Sequence, residues 1–522
     1  MSKKAQTKRR KRSASPPRSR PLPKPDRVKL QDDGSLPRAL PPLGAAAIVF
    51  IAAGAVLMLE ILAVRLLAPY VGLTLETTTS IIGAVLAGIA LGAACGGYLA
   101  DRMNTRRLVV FLLLVGGMLA LLIVPIVRWL GPGATGGGNL AAIGITFLAL
   151  VPAAAVLSAV SPAVAHLQLH DLRASGTIVG RLSAWATAGA LIGTFGTGFV
   201  LVPLMPVSSA VLVIGAVLIV TGLVLGLGAQ QLSLGAGAIF VVAALALGGL
   251  SVSRHSPCTV ESSYNCIVVE ADPARADSYS LLLDGALNSY VDLERPAYLE
   301  FPYTRWIADG IDAVFPPGAP LDAVFVGGGG VTLPRWLEAT RSGSHSEVLE
   351  LDSGLIEVDE ERLGLRTSSA LEVRTGDARI GMLDVPSNSA DVVVGDAFSN
   401  KSIPWQLMTS EWLAEVQRVL KPGGLYTLNM IDFPPLELLS AEAATLLGSF
   451  DDVRLVAYPG PKGIYGGNEV FFASDRPMPK ATGSSFKGAA TYGPDDVTSL
   501  AGTAEALHDD YAPVEQMLTR PN

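Results

Sequence analysis

A chain of 522 residues is too long for one ordinary domain, and half of it is hydrophobic, with 16% charged residues and a mean hydropathy of +0.44. The apolar residues crowd into 44–252 instead of spreading along the chain, which excludes a wholly soluble protein and marks a membrane segment. The net charge of −7 hides an asymmetry: residues 1–30 carry twelve Lys or Arg against Asp26 alone, so this tail is +11 and the remainder −18.

The tail (1–42), with "KKAQTKRRKRSASPPRSRPLPKP", is too polar and Pro-rich to bury a core, so disorder is expected. It could bind nucleic acid. Beside a first membrane helix, however, we read it as holding the N-terminus in the cytoplasm against the anionic lipid bilayer, and no nucleic-acid partner is expected. The apolar segment that follows is long and lacks a small-residue cleavage site, so it does not read as a cleavable signal.

Within 43–253, spans of roughly 20 apolar residues fall near 44–64, 76–99, 107–128, 140–165, 182–204, 207–228 and 233–252. This predicts a bundle of about seven transmembrane helices. The connections "DRMNTRR" and "HDLRASGTIVGR" are the basic ones, and the positive-inside rule puts them on the side of the basic tail. An odd number of helices then carries everything after Val252 to the outer face, whereas an even number would return it to the cytoplasm. Cys95 lies in the second span, and Cys258 and Cys266 follow the last one. An oxidising exterior would let those two pair; the alternative is two unrelated buried thiols. The small residues of "GAVLAGIALGAACGG" predict close helix packing, and Glu60 and Arg65 near a helix end read either as functional intramembrane charges or as residues that pair or snorkel to the interface. "GGYLADRMNTRR" resembles the loop between helices 2 and 3 of major-facilitator transporters, with no second half to match it.

From 258 to 305, "NCIVVEA" and "SYSLLLDGALNSYVDL" read as strands of a small β-rich lead-in. In 306–522, strands "LDAVFVGG", "SEVLELD", "LEVRTGDA", "ADVVVGDA" and "LYTLNMI" alternate with helices. Such alternation predicts a Rossmann-like α/β fold, a parallel doubly wound sheet with its ligand at the carboxyl ends of the strands. The glycines Gly327, Gly328, Gly329 and Gly330 open a loop there with no "GK[ST]", so no triphosphate is expected. The second strand ends in "LELD", where an acid accepts ribose hydroxyls; Glu350 is the candidate and Asp352 the runner-up. The third ends in "GDA", where Asp377, followed by Ala378, can accept from the amine of a purine. The fourth places Asp396 at the same crevice, where a carboxylate beside a sulfonium ligand could serve as general base or, alternatively, cap a loop. Taken in order, these acids predict an S-adenosyl ligand. The stretch "TGSSFKGAATYGPDDVTSLAGTAEALHDDYAPV" is expected to close over the sheet edge. The five histidines are scattered and no Cys or His cluster has ligand spacing, so no metal and no prosthetic group are expected.

The ordered set "ESSYNCIVV", "LLLDG", "VGGGG", "LELD", "GDAR", "GDAFSNKSIPWQL" and "LKPGG", with "EILAVRLLAPY" and "GIALGAACGGYLADR" in the apolar half, resembles the polyamine aminopropyltransferases (spermidine synthases), in their membrane-fused bacterial form. The resemblance implies aminopropyl transfer from decarboxylated S-adenosylmethionine, as co-substrate, to putrescine or another amine, releasing methylthioadenosine. It implies Glu350 on the ribose, Asp377 on the adenine, Asn265 where the family commonly has a nucleoside-contacting Gln, Pro404 against the purine, and Asp396 as the base. Tyr298 and Glu300 fall in the family's amine-binding Tyr-His-Glu. Departures lie on that side: Gly330 replaces the Asp of "GGGDG", Leu299 the His, and Ser399, followed by Asn400, the second Asp of "DSSDP". Soluble relatives imply a dimer or tetramer. Two other readings stay open on the same residues: an S-adenosylmethionine methyltransferase, and a transport or sensor protein with a non-catalytic nucleoside-binding domain.

Overall fold

The computed structural model describes residues 40–71, 75–134, 138–169, 175–253, 256–398, 403–461, 463–479 and 488–518. The readings made for the basic tail, Ser399 and Asn400 fall outside these residues. The apolar half is helical: α1 (Pro42–Val71), α2 (Leu75–Ala100), α3 (Thr105–Leu130), α4 (Gly138–Ala149), α5 (Val151–Ser158), α6 (Val160–Gln168), α7 (Ser175–Gly196), α8 (Val202–Leu204), α9 (Val207–Gly228) and α10 (Leu234–Ser253). Among the described residues seven helical stretches are long and apolar enough to cross a membrane. The fourth corrects the expected span 140–165: the qualifying stretch is Val151–Gln168. Pro152 and Pro162 each lack an N–H to donate, so the helix ends at Ala149 and restarts twice. The fifth begins earlier than expected, at Ser175, and passes through a π-helical turn at Thr197–Leu201.

Small residues set the packing, as expected. A Cβ on Gly92 would lie 2.0 Å from the Ala155 carbonyl of α5, and one on Gly189 2.2 Å from the Phe50 carbonyl of α1. Only glycine permits such backbone approach. One end of the bundle gathers the α2–α3 turn, where Asn104 caps α3 and accepts the Arg107 N–H, with Thr105 3.2 Å from His166 and Arg107 donating to Gln231. At the other end, Arg65 of α1 donates to the Ser262 carbonyl and Arg128 of α3 to Glu261, which also accepts from Ser208 of α9. Arg65 thus reaches past the helix into the lead-in, and it forms no ion pair with Glu60.

That lead-in is an antiparallel sheet, β1 (Val260–Glu261), β2 (Cys266–Ala271), β3 (Ser278–Leu283) and β4 (Ala286–Asp292), in sequential order. "SYSLLLDGALNSYVDL" is a hairpin turning at Asp284 and Gly285, both with positive φ (48° and 77°), the two-residue turn that suits twisted strands. Cys258 and Cys266 form a disulfide beside β1.

The remainder runs α11 (Pro302–Val314), β5 (Asp322–Val326), α12 (Thr332–Thr340), β6 (His345–Glu350), α13 (Ser353–Arg362), β7 (Leu371–Thr375), α14 (Ala378–Asp384), β8 (Ala390–Gly395), α15 (Ser410–Val419), β9 (Leu420–Asp432), α16 (Glu437–Leu447), β10 (Asp452–Ala457), a small pair β11 (Pro459–Gly460) and β12 (Gly463–Ile464), β13 (Gly467–Ser474), β14 (Ala490–Tyr492), α17 (Pro494–Ala501) and α18 (Val514–Met517). Eight strands form one sheet in the order β14-β10-β13-β9-β8-β5-β6-β7. The expected parallel sheet is found from β5 to β9, but β13, β10 and β14 join antiparallel. The short link from β10 to β13 turns back on itself, and a parallel crossover needs a dozen or more residues. β14 lies in the C-terminal stretch expected at the sheet edge. Apolar side chains cover both faces, with Trp412, Leu413 and Phe471 in one core and Trp306, Leu337 and Val394 in the other. Strand order reverses between β5 and β8, so their carboxyl ends open the crevice where such sheets take ligands.

Candidate active site

Two loops flank that reversal. After β5 comes the glycine loop, and after β8 comes Asp396, whose N–H donates to the Val326 carbonyl (2.9 Å). Gly327 has φ +104°, and a Cβ there would sit 2.4 Å from the Asp396 carbonyl. The strand-end backbones can therefore touch only because this residue is glycine. Gly328 lies over Glu350, with 3.0 Å from its would-be Cβ to the Glu350 Cβ. On the lead-in side, a Cβ on Gly329 would meet Asn288 Oδ1 at 2.2 Å. The loop is thus clamped between β8, β6 and β4.

Asp396 is held by side chains from two elements. Asn429 of β9 donates to its Oδ1 (2.8 Å) and Tyr303 of α11 to its Oδ2 (3.2 Å). Asn468 of β13 donates to Asn429 Oδ1 (3.0 Å), which fixes the amide's orientation. Burial pushes the Asp396 carboxyl up to about 6, while the bonds from Asn429 and Tyr303 pull the other way. A carboxylate of that basicity is ionised at neutral pH and still takes a proton readily. Tyr303 is itself pushed well up, by burial first and then by the Asp396 charge, so it stays a donor.

Glu350 ends β6 as expected, buried, but both its oxygens are engaged by backbone. Gly328 N–H donates to Oε2 (2.7 Å) and Asp352 N–H to Oε1 (2.8 Å). Burial raises its carboxyl despite these bonds. It therefore ties the glycine loop to the start of α13, and a diol would share oxygens already in use. Asp352, the alternative, caps α13 through the Gly354 N–H (3.0 Å) and accepts from Asn265 Nδ2 (2.8 Å) and the Ser262 hydroxyl. Asn265 is thus brought to the β6 end, where it bonds an acid. Asp377 is exposed and caps α14 through the Arg379 N–H (2.8 Å), with Ala378 the first residue of that helix. Pro404 stands before the short turn Trp405–Leu407.

The amine-side residues do not join Asp396 by any hydrogen bond among the described residues. The Tyr298 hydroxyl donates to Glu300, and its ring lies under the Arg275 guanidinium (4.0 Å to the centroid). Leu299 is buried in the core of α11 and the sheet. Gly330 has φ +66°; its N–H donates to the buried Asp359 (3.2 Å), and a Cβ would lie 2.8 Å from Ser289 Oγ. Sequence reasoning missed Tyr303, Asn429, Asn468 and Asp359. The one usable signal was polar Asn429 inside the apolar strand "LYTLNMI", since a buried amide must have partners.

A family model described as a methyltransferase domain matches residues 324–428, the stretch from β5 into β9. A polyamine aminopropyltransferase of Vibrio vulnificus (strain CMCP6) is 29% identical over 165 residues, 31% of this chain and 54% of that protein. The chain therefore spans about half the length of the curated relative it matches. Among solved structures, a probable spermidine synthase from Corynebacterium glutamicum ATCC 13032 is 28% identical over 51% of this chain and all of that one, with a TM-score of 0.46. A spermidine synthase from Thermotoga maritima is 18% identical over 50% of this chain and 83% of that one, with a TM-score of 0.34. Within the C-terminal half, a stretch thus matches a methyltransferase-domain model, and the chain is similar in sequence over 165 residues to a polyamine aminopropyltransferase.

Proposed function

We propose that the chain is a membrane-anchored aminopropyltransferase that uses decarboxylated S-adenosylmethionine and an amine. The observation that carries this reading is Asp396, half-buried at the strand reversal beside the glycine loop, held by Tyr303 and Asn429 and poised near 6. In the proposed reaction the Asp396 carboxylate takes a proton from the acceptor ammonium. The freed nitrogen lone pair then forms the C–N bond at the methylene next to the sulfonium, the C–S bond breaks, and its electrons return to sulfur as methylthioadenosine leaves. Positioning and removal of the amine's charge supply most of the catalysis. Asp396 acts as base, Glu350 shapes the donor loop, and Asp377, Ala378 and Pro404 border the nucleoside.

The acceptor side differs from one built for a dication. At the family's amine positions stand Leu299 in a core and Gly330 in a closed turn, and Glu300 is already engaged by Tyr298. An ammonium buried without a counter-charge is costly, so this reading favours an acceptor with fewer charges than putrescine. Calorimetry with decarboxylated S-adenosylmethionine, S-adenosylmethionine and methylthioadenosine, followed by mass spectrometry of products from a panel of mono- and diamines, tests it. Preference for the carboxylated donor would instead favour the methyltransferase reading that the matched family model raises.

For placement, seven candidate spans support a tail on the cytoplasmic side and a lead-in and α/β region on the outer side. The basic α2–α3 turn lies at the bundle end away from the lead-in, and the Cys258–Cys266 disulfide lies at the lead-in. A reporter fused after Asn522 should score as external; a cytoplasmic signal would refute that placement and leave the chemistry untouched.

A further inference from the structure

The bundle end that meets the lead-in encloses a cavity apart from the glycine loop. Its polar wall includes Arg65, Tyr70 and Arg128 from the helices and Glu261, Asn265 and Asp284 from the lead-in, and it is partly open to solvent. Apolar helix-end side chains and the disulfide make up most of the rest.

The charges of this wall are unevenly matched. Glu261 pairs with Arg128 (3.4 Å) and also accepts from Ser208 and Ser256, so its oxygens are taken. Arg65 makes one hydrogen bond, to the Ser262 carbonyl (3.3 Å). Asp284 accepts the Cys266 N–H on Oδ1 (2.9 Å). Neither Arg65 nor Asp284 has an ion pair within 4.0 Å among the described residues, although both line the same space. Burial pushes the Asp284 carboxyl up, and the Cys266 N–H bond and then attraction to Arg65 offset this only in part. The half-buried guanidinium and carboxylate attract each other without touching, so each keeps polar atoms that a ligand can engage. A guanidinium with most of its five N–H donors unused suits the oxygens of a phosphate, and a carboxylate suits an alkylammonium.

We propose that this cavity binds an alkylammonium joined to a phosphate, the phosphate against Arg65 and the ammonium against Asp284. Two sources carry that chemistry: the head group of an aminophospholipid, which the helix-end position favours if these helices are spans, and free phosphoethanolamine. The test uses the full chain in nanodiscs. Phosphoethanolamine is titrated calorimetrically into phosphatidylcholine discs, and discs of equal phosphatidylethanolamine and phosphatidylcholine are assayed by native mass spectrometry for retained lipid. The substitutions are Arg65→Gln and Asp284→Asn; the second keeps an oxygen for the Cys266 N–H and so keeps the turn. We expect saturable binding in at least one arm, weakened tenfold or more by Asp284→Asn with thermal stability retained, and likewise by Arg65→Gln. Saturation in the soluble arm assigns free phosphoethanolamine, and selective retention assigns the lipid. Absence of saturable binding in both arms, or binding that survives Asp284→Asn, overturns the proposal, and neither outcome touches the aminopropyltransferase reading.

Discussion

Tyr303→Phe isolates the electrostatics of the proposed base, because it removes one hydroxyl and keeps the ring in its packing. That hydroxyl donates to Asp396 Oδ2 over 3.2 Å, long for an O–H···O bond, so the low end of the ~1.5–3 kcal/mol range for bonds to charged groups applies. At 1.36 kcal/mol per pH unit, losing ~1.5 kcal/mol of support for the ionised form raises the carboxyl by about one pH unit. The proposed step needs the ionised carboxylate, so the rate should climb with pH through a limb near 6 in the parent and near 7 in the variant. At pH 6 the variant should be roughly fivefold slower, with the high-pH plateau unchanged. Methylthioadenosine release across pH 5 to 9 reads the limb. Infrared difference titration of the carboxyl, with Asp396→Asn as the blank, reads the same proton without turnover. Tyr298→Phe is the control, since its hydroxyl serves Glu300. A limb that stays put in Tyr303→Phe, or moves equally in Tyr298→Phe, refutes the assignment.

Glu350→Gln should destabilise the ligand-free protein by ~1–3 kcal/mol in denaturant melts, because one of two backbone N–H donors would face an amide NH2; an unchanged midpoint would remove Glu350 from the loop's support. Gly330→Asp, which restores the family residue, should lower stability by ~1–2 kcal/mol without raising amine binding, since φ is +66° and Ser289 blocks the Cβ; a tighter amine complex would show that the turn can open. Burial pushes the Glu469 carboxyl up to about 9 from an ordinary 4.5. Its contribution to stability is therefore full below about 4.5 and is lost as pH rises through 9. Glu469→Gln, which still accepts the Asp432 N–H, should flatten that decline and stabilise the protein at pH 8 by at least ~1 kcal/mol; parallel stability curves would contradict it.

What the sequence made legible was local. Periodicity and Gly-rich strand ends located β5, β6, β7 and β8, and with them Glu350 and Asp396, because strands and the loops after them are encoded by neighbouring residues. The fourth span was misplaced because hydropathy is blind to Pro152 and Pro162. The partners of Asp396 were hidden for another reason: Tyr303 and Asn429 lie 93 and 33 positions away in the chain, and no pattern in one sequence fixes such a meeting. The resemblance marked Leu299 and Gly330 as departures from the family's His and Asp, but it could not say what fills their places. In the fold each has become a packing position, Leu299 inside a core and Gly330 in a turn closed by Ser289. A site that had merely lost acids would keep the space they occupied, and a single substitution could restore it. A site whose positions have been filled has a different shape, so in the proposed reaction acceptor choice should follow size as well as charge, and restoring the family's Asp should not by itself restore the family's amine.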